Sequence, residues 1–238
     1  RWPMEMMKVQ AVVSRTYALY QISQMKDQNF DVTSDIYSQV FGGKSAERFR
    51  SNLAVDRTRG EILLFGGQVL PAYFHSNCGG QTEDASELWK HDLPPLKGVR
   101  CPYCEGEPHY QWKKNLRSKD VQDRLEANGI SIGLIKNIEI VERNQSGRIN
   151  ELKITDRARK TVRITGKNFR QFVGPNIIKS NNYEIEMKGY YFDVIGKGWG
   201  HGVGMCQWGA HKMSRERIPY TEILTFYYPG AILHNLSE

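Results

Sequence analysis

Apolar positions recur at helical spacing from the start of the chain. In PMEMMKVQAVVSRTYALYQISQMK, residues 3–26, Met4, Met7, Ala11, Ala18, Ile22 and Met25 fall near one face, which predicts a long helix with that face buried. Pro3 suits a first helical turn, where its missing N–H costs nothing. Lys8, Gln10, Arg15 and Gln21 lie elsewhere around the cylinder. TSDIYSQVFGG then reads as a loop closed by Gly42 and Gly43, and SAERFRSNLAVDRT as a short helix. The next apolar runs, Ile62–Phe65 and Val69–Phe74, flank Gly66-Gly67, the signature of a two-residue hairpin turn. The second of these strands delivers His75, Ser76, Asn77 and Cys78 to a sheet edge or loop.

Residues 90–115 are rich in proline, charge and aromatic rings and keep no period, so they read as a long irregular connection that something must pin. SKDVQDRLEANG predicts a short helix stopped at Asn128-Gly129. NIEIVERNQSGRINELKITDRARKTVRIT alternates as three strands with turns at Ser146-Gly147 and Asp156-Arg157. GKNFRQFVG is a small helix, YEIEMKGYYFDVIGKG holds two strands, and VGMCQWGAHKMSRERI and YTEILTFYYPG are closing helices. The sum is an α+β fold: a long N-terminal helix packed with hairpin sheets, a strand-rich inserted lobe and C-terminal helices. With no internal repeat and no low-complexity linker, residues 1–238 are expected to form one domain with that lobe near 116–180.

Composition adds exclusions. Hydrophobic residues make up 39% and charged residues 25%, an ordinary globular balance. No apolar run approaches the roughly 20 residues of a membrane span. The net charge is +7, but lysine and arginine never form a run, which argues against a nucleic-acid arm and leaves other polyanionic surfaces, cell wall included, open. The chain opens at Arg1 inside what already reads as a helix, so it is expected to be an excised piece, and the lack of a signal peptide says nothing about location.

Two clusters carry candidate chemistry. GKGWGHGVGMCQWGAHKM, residues 196–213, places six glycines within Gly196–Gly209, with Trp199 and His201 as the bulky groups on an otherwise bare backbone. An aromatic ring beside an imidazole can stack on a sugar and hydrogen-bond its hydroxyls. The same pattern also suits a strand-to-helix turn that serves packing alone. The second cluster is CPYCEGEPHY, residues 101–110. A redox thiol pair needs a helix N-terminus to lower its pKa, and Glu105-Gly106-Glu107-Pro108 removes that helix and adds two acids.

The blocks PMEMMKVQAVVSRTYAL, AYFHSNCGGQTEDASELW, GWGHGVGMCQWGAHKM and YTEILTFYYPGAIL, in this order, resemble the stage II sporulation protein D (SpoIID) family of peptidoglycan-processing proteins. The resemblance implies a lytic transglycosylase that cuts the bond between N-acetylmuramic acid and N-acetylglucosamine and closes a 1,6-anhydro ring. It equally allows a non-catalytic, glycan-binding enhancer of a cell-wall amidase. One glutamate would serve as acid and then base, unlike the carboxylate pair of ordinary glycosidases. In the family that glutamate precedes the tryptophan-proline with which this chain opens, so the N-terminal part of the domain is expected to be missing. Glu5 is then the remaining carboxylate of the block, in a first helical turn that favours its ionised form.

The matching blocks also nominate Arg15, His75, Ser76, Trp199, His201, Gln207 and Trp208 as substrate-binding residues. Arg15 and Gln207 fit buried hydrogen-bonding roles equally well. The implied partners are peptidoglycan glycan strands and other cell-wall hydrolases. The implied location is extracytoplasmic, with anchoring through upstream residues a further expectation. Some members of the family hold a Cys/His zinc site. Here Cys101, Cys104 and His109, with Cys78 or His75 as the fourth ligand, are expected to form a structural Zn²⁺ site. A disulfide from Cys78 to one of the pair is the alternative. Cys206 reads as a small buried residue.

Overall fold

The computed structural model of the chain describes residues 2–24, 42–89 and 91–236. Helix α1 (Met4–Gln24) is followed by α2 (Phe49–Arg57), β1 (Glu61–Phe65), β2 (Gln68–Val69) and β3 (Phe74–His75). The predicted loop at TSDIYSQVFGG lies almost wholly outside the described residues. Short 3₁₀ turns carry the chain through residues 85–104 to β4 (Gln111–Arg117), α3 (Ser118–Ala127), β5 (Ile135–Arg143), β6 (Ile149–Asp156), β7 (Thr161–Thr165), α4 (Gly166–Val173), β8 (Tyr183–Lys188) and β9 (Tyr191–Lys197). The chain ends with β10 (Met205–Cys206), α5 (Gln207–Arg215), α6 (Tyr220–Tyr227) and β11 (Ile232–Asn235). The fold is α+β, with its N-terminal helix packed on small sheets.

Two hydrophobic cores divide the work. The first joins Met6, Val9, Val12, Val13 and Tyr17 of α1 to Leu63, Leu70 and Tyr73, and to Met205, Ala210, Ile223 and Tyr227 near the C-terminus. The second lies within the strand-rich part and joins Trp112, Val121, Leu125, Ile154, Phe169, Tyr183 and Phe192. Antiparallel ladders β4-β9-β8 and β5-β6-β7 build that part, and α3 and α4 cover it.

The buried face of α1 differs from the expected one. Met6, Val9, Val12, Val13, Thr16 and Tyr17 face the core, whereas Ile22 is exposed. Apolar residues occur all round this helix, so periodicity alone does not choose a side; contact with α2, β1, α5 and α6 does. The hairpin at Gly66-Gly67 forms as expected, but its second strand is brief. After Val69 the chain leaves that sheet, and Phe74–His75 pairs in parallel with Met205–Cys206.

This parallel pairing explains the glycine-rich motif. The chain from Gly198 to Gly204 runs against residues 73–83, bridging Asn77 to Trp199 and Glu83 to Val203. A Cβ on Gly204, whose φ is +68°, would stand 2.0 Å from the carbonyl oxygen of Tyr73. Gly66, with φ of +58°, faces open space. Gly66→Ala is therefore expected to cost about 1 kcal/mol in urea unfolding, for backbone conformation alone. Gly204→Ala is expected to cost about 3 kcal/mol or more, because a backbone segment must move.

Candidate functional site

A groove of about 820 Å³ runs between the first turns of α1 and the start of α2. Its floor is Met6, Met7 and Ala11, and its walls include Trp2, Gln10, Ser14, Arg48, Phe49 and Gln207. Phe49 is 80% exposed and Trp2 is 37% exposed, so two aromatic groups flank the opening in water. Polar groups are chained along it: Gln207 Nε2 donates to Gln10 Oε1 at 3.0 Å, and Gln10 Nε2 donates to Ser14 Oγ at 2.9 Å. Arg50 fixes the rim by donating to the carbonyl of Trp2 at 3.0 Å. Among the described residues, none that lines the groove is a carboxylate.

Of the residues the sequence nominated, Gln207 and Trp208 come to this groove. The first lines it; the second packs its ring 5.4 Å from that of Trp2 at the mouth, and its N–H donates to Ser76 O. Arg15 points away, donating from Nη1 to the carbonyls of Thr58 and Glu61, both at 2.7 Å. It ties α1 to the end of α2 and the start of β1. Glu5 bonds Lys8 at 2.7 Å and accepts the N–H of Tyr220 at 3.0 Å, which fastens α6 to α1. Partial burial pushes its pKa up, but the hydrogen bonds from Lys8 and the Tyr220 N–H outweigh it, and the net shift is downward. An ionised, committed carboxylate is poorly suited to protonate a leaving group.

The two histidines lie elsewhere. His75 is buried; its Nδ1 lies 3.1 Å from the Val203 carbonyl, and its Nε2 has no partner. His201 accepts the Val203 N–H at Nδ1 and packs on Trp89 at 5.2 Å. Trp199 meets His109 edge-on at 4.3 Å and carries the ammonium of Lys179 4.7 Å from its ring centre. The ring expected to receive a sugar is half-buried and packs against these two side chains. Trp2, Gln10 and Phe49 escaped sequence reasoning. The available signal was the polar stripe of α1 that includes Gln10, opposite an aromatic at the head of a short helix.

The thiols form the second arrangement. The sulfur atoms of Cys78, Cys101, Cys104 and Cys206 all lie within 4.8 Å of one another and are buried. The set therefore includes Cys206 and not His109. A turn through Glu105–Pro108, with His109 itself at φ of +68°, swings that imidazole onto Trp199. Cys206 arrives because β10 pairs with β3, setting it opposite His75. Cys78 and Cys104 stand 3.3 Å apart, too far for a bridge of about 2.05 Å, and all four cysteines are free.

A tetrahedral ion with metal–sulfur bonds of about 2.3 Å separates its sulfurs by roughly 3.8 Å. Four soft donors at this spacing fit one such ion. The surrounding donors suit thiolates as well. Cys206 Sγ accepts the N–H groups of Cys78 at 3.2 Å and Gly209 at 3.3 Å, and Tyr227 Oη lies 3.2 Å from Cys101 Sγ. Hydrogen bonds from Cys104, Cys206 and Cys78 hold Cys101 well below the ordinary thiol range. Burial and the neighbouring thiols drive Cys206 up.

Comparison with known proteins supplies a lineage. Residues 1–65 match the family SpoIID, Stage II sporulation protein, and residues 102–204 match a domain of unknown function, DUF8618. An uncharacterized protein of Brachyspira hyodysenteriae is 38% identical over 232 residues, 96% of this chain and 61% of its own length. The amidase enhancer of Bacillus subtilis is 25% identical over 98% of this chain and 38% of its own. Stage II sporulation protein D of the same organism is 30% identical over 74% of this chain and 49% of its own. The chain thus spans less than two thirds of the length of each of these relatives.

Burial, with the charges of Arg170 and Arg148, pulls the pKa of His201 down to about 4. Burial shifts His75 in the same direction. An unfolded histidine titrates near 6.5, so below that pH the unfolded chain takes up protons that the folded chain refuses. Stability is expected to fall as the pH drops from about 7 towards 4, read as a declining urea midpoint, and His201→Gln should flatten the slope.

Proposed function

The chain carries a SpoIID domain over residues 1–65, and from that premise we propose that it binds the glycan strands of peptidoglycan in the groove between α1 and α2. The observation that carries this reading is the composition of the groove. Exposed Trp2 and Phe49 offer faces for the apolar side of a pyranose ring. The Gln207–Gln10–Ser14 chain offers amide and hydroxyl partners for N-acetyl and hydroxyl groups. Arg48 brings positive charge to the wall, which suits the lactyl carboxylate of muramic acid. Such a protein acts outside the cytoplasm, where that polymer lies, alongside other cell-wall hydrolases. The relative named amidase enhancer accords with a binding role.

Cleavage is the second reading, favoured by the SpoIID match itself, which covers the helix that floors the groove. In that reading the groove presents the bond between N-acetylmuramic acid and N-acetylglucosamine to a carboxylic acid, and the 6-hydroxyl closes the 1,6-anhydro ring. Neither His75 nor His201, both set among core side chains, serves as that acid. Incubation of the protein with purified sacculi separates the readings. Sedimentation with the sacculi and no 1,6-anhydro ends by mass spectrometry means binding alone; anhydro ends mean cleavage. Phe49→Ala is expected to weaken sedimentation at least tenfold without lowering thermal stability, and an unchanged affinity would remove the groove from the reading.

The thiol cluster is assigned a structural Zn²⁺ held by Cys78, Cys101, Cys104 and Cys206, which would pin the long connection across residues 90–110. The expected content is about one zinc per chain by elemental analysis, with the thiols unreactive until a chelator is added. Cys206→Ser should lose the metal and His109→Ala should keep it. The reverse outcome would restore the histidine as a ligand.

A further inference from the structure

The thiol cluster sits where the strand-rich lobe leaves the main body and returns to it. Cys101 and Cys104 precede that lobe, Cys206 follows it, and Cys78 belongs to the main body. The DUF8618 match, residues 102–204, runs between the same points. From the middle of the lobe a side chain comes back to this junction. Arg148, on the turn between β5 and β6, is only 3% exposed and donates from Nη2 to the carbonyls of Cys78 at 2.8 Å and Gln81 at 3.0 Å. Its guanidinium lies over Gly202, where a Cβ would stand 2.6 Å from its Cζ.

Among the described residues Arg148 has one carboxylate nearby and reaches it through a hydroxyl: Nη1 donates to Ser146 Oγ at 2.9 Å, and that hydroxyl donates to Glu83. The nearest carboxylate, Glu83, lies 4.0 Å from Nη1. That carboxylate is already engaged by the Asn144 amide at 2.7 Å, the Ser146 hydroxyl at 2.9 Å and the Asp84 N–H at 2.9 Å. Arg148 Nε has no partner at all. Among the described residues it is the buried guanidinium of the region. Four thiolates around a divalent cation carry two net negative charges, and a buried dianion needs a counter-charge. Burial lowers the pKa of Arg148, while Glu83 and the sulfurs of Cys78, Cys206 and Cys104 oppose that shift.

We propose that the metal–thiolate centre is a latch for the strand-rich lobe, with Arg148 as its counter-cation, so that metal loading and docking of the β5–β6 turn stabilise each other. This rests on the zinc reading of the four thiols. The ion joins the two ends of the lobe, and the turn completes the charge balance from the far side. By reciprocity, the factor by which the docked turn tightens metal binding is the factor by which bound metal tightens docking of the turn. Arg148 acts here as a positioning residue through the thiolates, not as a ligand.

Competition of the Zn²⁺-loaded protein against a chromophoric chelator tests the charge. Arg148→Met is expected to lose 10- to 100-fold in Zn²⁺ affinity, the range seen for groups that support metal ligands from behind. Arg148→Lys should recover most of the loss. Equal losses in Arg148→Met and Arg148→Lys would mean that packing alone is disturbed, and no loss in Arg148→Met would also overturn the latch while leaving the metal standing. If Arg148→Met does not fold, hydrogen exchange on the native chain decides. Chelation under reducing conditions should deprotect the amides of Arg148, Trp199 and Glu83 while those of α1 stay protected, and unchanged exchange there would refute the coupling. A native protein with four reactive thiols and no bound Zn²⁺ in the titration refutes the zinc reading itself, a different result from bound metal without coupling.

Discussion

The parallel pairing of Phe74–His75 with Met205–Cys206 is the contact on which the rest of the architecture turns. It joins two segments far apart in the chain across the centre of the first core. Its hydrogen bonds continue as bridges from Asn77 to Trp199 and from Glu83 to Val203. Three consequences follow from this short seam. Gly198–Gly204 must lie flat against a neighbouring backbone, Cys206 is carried to within reach of Cys78, and the start of α5 is aimed at α1. The last of these is fixed by the Trp208 N–H to Ser76 carbonyl bond, and it is what sets Gln207 against Gln10.

Around that seam, polar side chains that resemble catalytic groups act as ties. Arg15 closes three segments with one guanidinium, and Glu5 caps the approach of α6 to α1. His75 and His201 are kept neutral by burial, and the Nδ1 of each meets the backbone of Val203. The groove remains where these ties leave α1 uncovered beside α2. Its lining includes Trp2, Phe49 and the Gln10–Gln207 pair, set at the opening that these ties leave.

Much of the element order was legible in the sequence, because strands of the lobe alternate cleanly and their turns carry Ser146-Gly147 and Asp156-Arg157. The same reasoning chose the wrong face of α1, since a helix apolar on several sides takes its inner face from its neighbours. It ended the Gly66-Gly67 hairpin too late, because Phe74 and His75 had a stronger partner at the other end of the chain. For the thiols, the local spacing of Cys101, Cys104 and His109 suggested one set, yet a left-handed turn at His109 removed the imidazole and a distant strand brought Cys206. Trp199 was legible as a bulky group on a bare backbone, but not the Lys179 and His109 that cover it.

By itself the sequence determined the α+β class, the order of most elements and the family blocks, all properties of local period, turn chemistry and residue order. Tertiary structure alone decided that Cys206 joins the other thiols, which rings stay open to solvent and which charges are committed. These depend on a register between segments more than a hundred residues apart, and side chains at that separation leave no mark on local spacing. The Cys-Pro-Tyr-Cys stretch shows the division well. Its flanks argued against a redox helix and Cys78 was already expected beside it, but only the β3–β10 register supplied Cys206.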